Sequence, residues 1–212
     1  MKHNKAFTLL EMVVVIVVIG IIIAMAMPRM ERDTRQNAAN HLLSAIQYTK
    51  HLALLDNKTL TLGNFTRWQK ELWAIRFTVG TDYQNTYYTI GTDDNNNSSI
   101  SKNEAAIDPA NGKYLYNSSG AFASIAVDES PNIFIGHNYG IDNIVFSGGC
   151  SNAQHIAFDH LGRPYNGIGT ATNNFATYMQ SDCKITFEFV DDTIDDIEIM
   201  IEKQTGYAYI KN

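Results

Sequence analysis

Glu11 is the residue most out of place in this chain. It is the one carboxylate in a 21-residue apolar stretch, Phe7 to Met27, that Pro28 closes. An isolated charge among apolar groups costs a few kcal/mol, so it must protonate, snorkel or meet a cation. The chemistry this offers is ion pairing. A second group, Asp93, Asn95, Asn97, Ser99 through its carbonyl, Ser101 and Glu104, follows the 1-3-5-7-9-12 spacing of a calcium loop, with Ile100 at the apolar eighth position. Ser98 stands where the sharp turn of such a loop calls for Gly, and neither flank reads as a helix. A solvated Asn-rich loop tip is the preferred reading, and extracellular calcium at about 10⁻⁴–10⁻³ M is the alternative. His155 and His160 with Asp159 offer imidazoles and a carboxylate, but no third ligand stands at metal spacing. No nucleophile signature occurs. Gly136–Gly140 and Gly148–Gly149 read as turns, because neither opens a helix as a phosphate loop does. No catalytic residue and no organic cofactor is expected.

The elements that position these residues follow from patterning. About 20 apolar residues at 1.5 Å rise each cross a bilayer core, and a secretory signal has a shorter apolar region followed by a small-residue cleavage site. Beyond Pro28 the apolar residues Ala38, Ala39, Leu42, Leu43, Ile46, Leu52, Ala53 and Leu55 recur mostly at three- and four-residue spacing, with charged and polar residues between them. The spacing predicts one kinked helix over 7–55, membrane-spanning over about 7–27 and amphipathic over 28–55. From 56 to 212 the chain turns to short β-prone runs. Candidate strands are Trp73–Val79, Tyr87–Ile90, Phe122–Val127, Ile133–Ile135, Ile144–Phe146, His155–Phe158, Lys184–Val190, Ile197–Ile201 and Tyr207–Ile210. The last three alternate apolar and polar residues, as antiparallel strands with one buried face do. A long helix followed by an antiparallel sheet is α+β.

Charge narrows the partners. The whole chain carries −6, and from Asp56 onward ten basic residues face nineteen acidic ones, a net −9. Such a head has no electrostatic footprint for nucleic acid. Lys2 and Lys5 precede the apolar stretch while Arg29, Arg32 and Arg35 follow it, so loop charge alone does not orient the helix. The pairs Asp191-Asp192 and Asp195-Asp196 flank a hairpin turn at Thr193-Ile194 and read as solvated charge.

The string Ala6-Phe7-Thr8-Leu9-Leu10-Glu11 resembles the class III signal of type IV pilins and type II secretion pseudopilins, usually G-FTLLE. Pro28 falls at the 22nd residue counted from Phe7, where that family often carries a kinking proline. The resemblance implies that residues 1–6 are a leader cut off between Ala6 and Phe7 by a prepilin peptidase, which then methylates the Phe7 amine. It also implies that Glu11 meets the N-terminal amine of a neighbouring subunit in a helical filament, raised on an inner-membrane assembly platform. The family normally has Gly before the cut, where this chain has Ala6. The implied fold is the pilin fold and the implied location a bacterial inner membrane, crossed once, with the head in the periplasm.

A second resemblance lies in the C-terminal half. Ile156-Ala157-Phe158-Asp159-His160-Leu161-Gly162-Arg163-Pro164, a Cys, a strand and Gln204-Thr205-Gly206-Tyr207 look like the head of GspH/FimT-type minor pseudopilins. There an F-x-x-x-G-R turn links two strands and a T-G-x strand closes the sheet. Gly162 permits a turn with positive φ, and Pro164 fixes its exit. In an oxidising periplasm Cys150 and Cys183 are most simply one disulfide, two buried thiols being the alternative. The bridge would tie the irregular stretch Arg163–Asp182, with its Gly and Asn residues, to the sheet; that stretch is expected to pack weakly. The reading is a non-enzymatic pseudopilin, near the tip of a periplasmic pseudopilus that drives protein export. The alternatives are a minor pilin of a type IV pilus or DNA-uptake apparatus and, in another class, a membrane-anchored periplasmic binding protein or hydrolase.

Overall fold

A computed structural model describes residues 9–58, 68–95, 97–151, 153–170 and 177–211, and of 24–32 and 170 the backbone alone. Helix α1 runs unbroken over Leu9–Leu55, 47 residues or about 70 Å, and its backbone stays helical through Pro28. Proline removes one donor but need not end a helix.

Two halves of α1 differ in surroundings. Every described side chain from Leu9 to Ile23 is exposed. Farther on, Ala38, Ala39, Leu42, Ala45, Ile46, Thr49 and Ala53 are buried on one face at three- and four-residue spacing. Four of these are alanines, which lets the helix backbone approach the sheets closely. Leu42 and Ile46 supply bulk, and the buried Thr49 hydroxyl donates to the Ala45 carbonyl at 2.9 Å. Leu55, read as part of the apolar face, is exposed, as is Leu54.

Two four-stranded antiparallel sheets complete the fold. The first, ordered β2-β1-β4-β5, contains β1 (Trp73–Thr78), β2 (Tyr87–Gly91), β4 (His155–Phe158) and β5 (Pro164–Tyr165). The second, ordered β3-β6-β7-β8, contains β3 (Ile141–Gly148), β6 (Cys183–Phe189), β7 (Ile197–Ile201) and β8 (Ala208–Lys211). The buried face of α1 packs against both sheets, with Ile75, Phe77, Ile156 and Phe158 from the first and Ile185, Phe187, Ile199 and Ile201 from the second. The alternation expected of β6 and β7 is present: every second residue is buried, and Lys184, Glu198 and Lys211 pair on the outer face at 2.8 and 3.0 Å.

The middle of the chain departs from expectation. Phe122–Val127 is not a strand; a 3₁₀ turn occupies Phe122–Ser124. Ile133–Ile135 is not one either. Pro131 opens a 3₁₀ turn capped by Ser130, and a helix follows at Ile135–Tyr139, ended by Gly140 at φ 78°. Gly136 is therefore helical rather than part of a turn, and a side chain there would run into the Tyr83 carbonyl. Three β-prone residues beside Pro and Gly lose to the cap chemistry on either side. The stretch after Arg163 also packs better than its composition suggests. Tyr165, Ile168 and Met179 are buried, and Tyr165 and Ile168 join Trp68, Leu72, Ala74 and Ala157 in a second apolar cluster. Residues 171–176 lie outside the described residues.

Candidate functional site

Glu11 sits in the first described turn of α1, on the half whose side chains are all exposed. Ala6 and Phe7 lie outside the described residues, as does the Pro28 side chain. Among the described residues no helix is long and apolar enough to cross a membrane; the described apolar side chains of this half run only from Leu9 to Ile23.

At the other end of α1, two turns from different sheets meet. In the β4–β5 turn the buried Asp159 carboxylate accepts from the Leu161 and Arg163 backbone amides at 3.0 and 2.9 Å, and from the Tyr165 hydroxyl at 3.2 Å. It also pairs with the Arg163 guanidinium at 2.6 Å. Burial and the Asp159 charge push the Tyr165 hydroxyl well above its usual range. Gly162 takes φ 76°, and Gly206, in the β7–β8 turn, takes φ 60°. A side chain on Gly206 would strike the Gly162 carbonyl, and one on Gly162 would meet the Lys50 stem. Lys50 in turn donates to the Thr205 carbonyl at 2.7 Å. The two C-terminal segments singled out in the sequence thus form one locking point for the helix and both sheets. Asp159 organises it, although sequence alone places that residue in the turn without a role and offers its side chain as a metal candidate; the signal was its position two and four residues before amides it could cap.

Cys150 and Cys183 form a disulfide, with Cα atoms 5.1 Å apart and both residues fully buried. Gly148 pairs with Cys183 in the β3–β6 register. Gly148 and Gly149 lie so close to the Asp182 and Ser181 carbonyls that neither could carry a side chain.

The Asp93–Glu104 loop holds itself together. Asp93 accepts from the Asn97 and Ser98 amides at 3.0 and 2.8 Å, Asn95 from Asn97 at 3.0 Å, and Asn97 from Ser99 at 2.9 Å. Glu104 accepts from the Ser101 hydroxyl and from the Asn95 and Ser101 amides, each amide at 2.9 Å, and the hydroxyl first and then the amides hold its carboxyl below the usual range against its own desolvation. Ser98 takes φ 71°, supplying the turn that was reserved for Gly, and a 3₁₀ turn follows at Lys102–Glu104. A positive-φ residue therefore stands at the sixth position of the 93–104 spacing. The charge is not open, however: Arg76 donates to the Ser98 carbonyl at 2.9 Å, and its guanidinium lies within the field of Asp93 and Glu104. The donor set fits calcium in spacing but already has a cation beside it.

His155 is committed elsewhere. Its Nε2 accepts from the Gly167 and Ile168 amides at 3.1 and 3.2 Å, and burial, with Arg76 nearby, lowers its pKa to about 4. Among the described residues no group of three or more His, Cys, Asp or Glu is placed to hold a metal. The acidic turn before β7 does more than meet solvent. Arg35 of α1 donates to the Asp195 and Asp196 carbonyls at 2.9 and 3.0 Å.

Residues 1–27 match the prokaryotic N-terminal methylation motif. No curated protein and no solved structure matches the chain. The matched motif supports a type IV pilin-like protein of a pilus or pseudopilus, with the prepilin peptidase processing and filament assembly that the motif implies.

Proposed function

We propose that this type IV pilin-like chain is a non-enzymatic minor pseudopilin of a type II secretion system. On this reading it inserts through residues 7–27, is cut between Ala6 and Phe7, is methylated on Phe7 and joins a periplasmic pseudopilus that drives protein export. The observation that carries the reading is the division of α1: one uncovered apolar half holding Glu11, joined without a break to a half that roots a β-rich head. A helix that is apolar all round needs lipid or other helices around it. A carboxylate among those side chains needs a cation, and the processed amine of the next subunit supplies one. The GspH/FimT type is supported by the meeting of the Gly162 and Gly206 turns under Lys50. Pro28 would let the helix bend between its membrane and head halves.

Expression in a host with the secretion machine tests this. Glu11→Ala should insert and be processed but incorporate poorly into filaments, and deletion of the gene should retain exported enzymes in the periplasm. Normal filament incorporation of the variant would overturn the pairing role. Loss of surface pili or of DNA uptake with export intact would assign the chain to a type IV pilus or competence apparatus. Intact export, pili and uptake beside a lost periplasmic binding or hydrolytic activity would favour a membrane-anchored protein of another class.

A further inference from the structure

A pocket of 170 Å³ opens between the buried half of α1 and the head loops. Its helix side carries His41, Ser44 and Tyr48, and its head side Tyr88, Asp108 and Asn132. Most of the wall is apolar or aromatic. Asp108 is the carboxylate among its lining residues: it is 5% exposed, yet among the described residues it forms no ion pair with Lys, Arg or His. Its charge rests on neutral donors alone, the Ser130 hydroxyl at 2.6 Å, the Asn132 amide at 2.9 Å and the Ala110 backbone amide at 2.8 Å. Buried carboxylates are ordinarily paired with a cation, so one held by neutral donors alone still gains from a cation brought to the pocket beside it.

The surroundings of Asp108 make the field specific. The Tyr48 hydroxyl is turned to the Ile107 carbonyl at 2.9 Å, and the Tyr88 hydroxyl contacts His41 Nε2 at 3.0 Å. His41 is kept below its usual pKa by burial, so it does not itself supply the missing positive charge at neutral pH. Tyr48 and Tyr88 stay neutral, their hydroxyls pushed up by burial and then by Asp108. Aromatic walls around a carboxylate suit an ammonium or guanidinium group on an apolar stem, through charge-assisted hydrogen bonding and cation–π attraction. The net −9 of the head region points the same way, since acidic heads need cationic groups between them to lie close.

We infer that this pocket receives a lysine or arginine side chain of an adjoining subunit and so fixes the position of this head in the filament. The inference rests on the filament reading above for its occupant, and on Asp108, Tyr48 and Tyr88 for its chemistry. The full chain in detergent micelles would be titrated with N-acetyl-lysine methylamide and with its neutral counterpart, N-acetyl-norleucine methylamide, following the His41 ring signals by NMR. Saturable shifts are expected from the lysine compound alone, with affinity at least tenfold weaker in Asp108→Asn. Ser44→Phe, at the exposed mouth of the pocket, should abolish the shifts while leaving thermal unfolding unchanged, which covers the case that Asp108→Asn fails to fold. Equal binding of the two compounds, or binding of neither, overturns the pocket. In assembled filaments, a photocrosslinker at position 44 should capture a segment of another pilin-like subunit that carries Lys or Arg. Crosslinking to a segment without either, or to no subunit in filaments that do form, overturns the occupant. Neither result bears on the filament reading, which Glu11→Ala tests by itself.

Discussion

The two halves of α1 share one backbone geometry and almost nothing else. From Leu9 to Ile23 the side chains, Glu11 apart, are apolar on all sides and all exposed; from Ala38 to Ala53 they are apolar on one face, and that face is buried. Secondary structure is thus the least informative thing about this helix. What distinguishes its halves is which solvent each is built for, and among the described residues nothing covers the first half.

The sharpest test of that contrast is a matched pair of truncations. Leu42→Ala should cost about 2–5 kcal/mol of head stability, because it empties a fully buried site between helix and sheets. Val17→Ala, on the exposed half, should change it by less than about 0.5 kcal/mol. Thermal unfolding of the two variants in micelles reads both; equal losses would dissolve the distinction. Replacing Cys150 and Cys183 together by Ser should lower head stability by about 3–4 kcal/mol on the chain-entropy account, for a separation of 33 residues. Processing and insertion through the first half should be unaffected, as an immunoblot of membrane fractions would show.

A pH series adds a finer cut. His155 is neutral in the fold with a pKa near 4, while the unfolded chain protonates it near 6.5. Between those values the unfolded state binds more protons, so stability is full above about pH 6.5 and falls as pH drops towards 4, by at most about 3 kcal/mol. The loss should shrink in His155→Gln. An unchanged pH profile in that variant would remove His155 from the account. Gly206→Ala should cost about 1–3 kcal/mol, since its φ of 60° and the Gly162 carbonyl both oppose a side chain. The smallest effect concerns calcium. With Arg76 beside Asp93 and Glu104, 2 mM calcium should leave the unfolding temperature unchanged, and a rise of more than about 2 °C would reinstate the loop as a binding site.

What could be read from sequence alone follows the range of the forces involved. The amphipathic face of α1 and the alternation of β6 and β7 are local periodicities, so their burial was legible. The disulfide was legible as a pairing because only two cysteines compete. Ile133–Ile135 misled because its side chains favour strand while Pro131 and Gly140 enforce a 3₁₀ turn and a short helix. The packing of Tyr165 and Ile168 was hidden because their partners Trp68 and Leu72 lie about a hundred residues away in the chain. The role of Asp159 was hidden for a different reason. Its charge pattern resembled a ligand set, and only the turn geometry reveals five donors already converging on it.

Arg35 and Lys50 both hold the helix to backbone carbonyls, one in the turn entering β7 and the other in the turn leaving it. They stand fifteen residues apart on α1, about 22 Å. Strand β7 is therefore bolted to the helix at both ends, by cations gripping acceptors that never titrate. A thrust along the helix axis reaches the head as shear across those two bolts together with the alanine face between them. Shear must break them in concert, whereas peeling would take them one at a time.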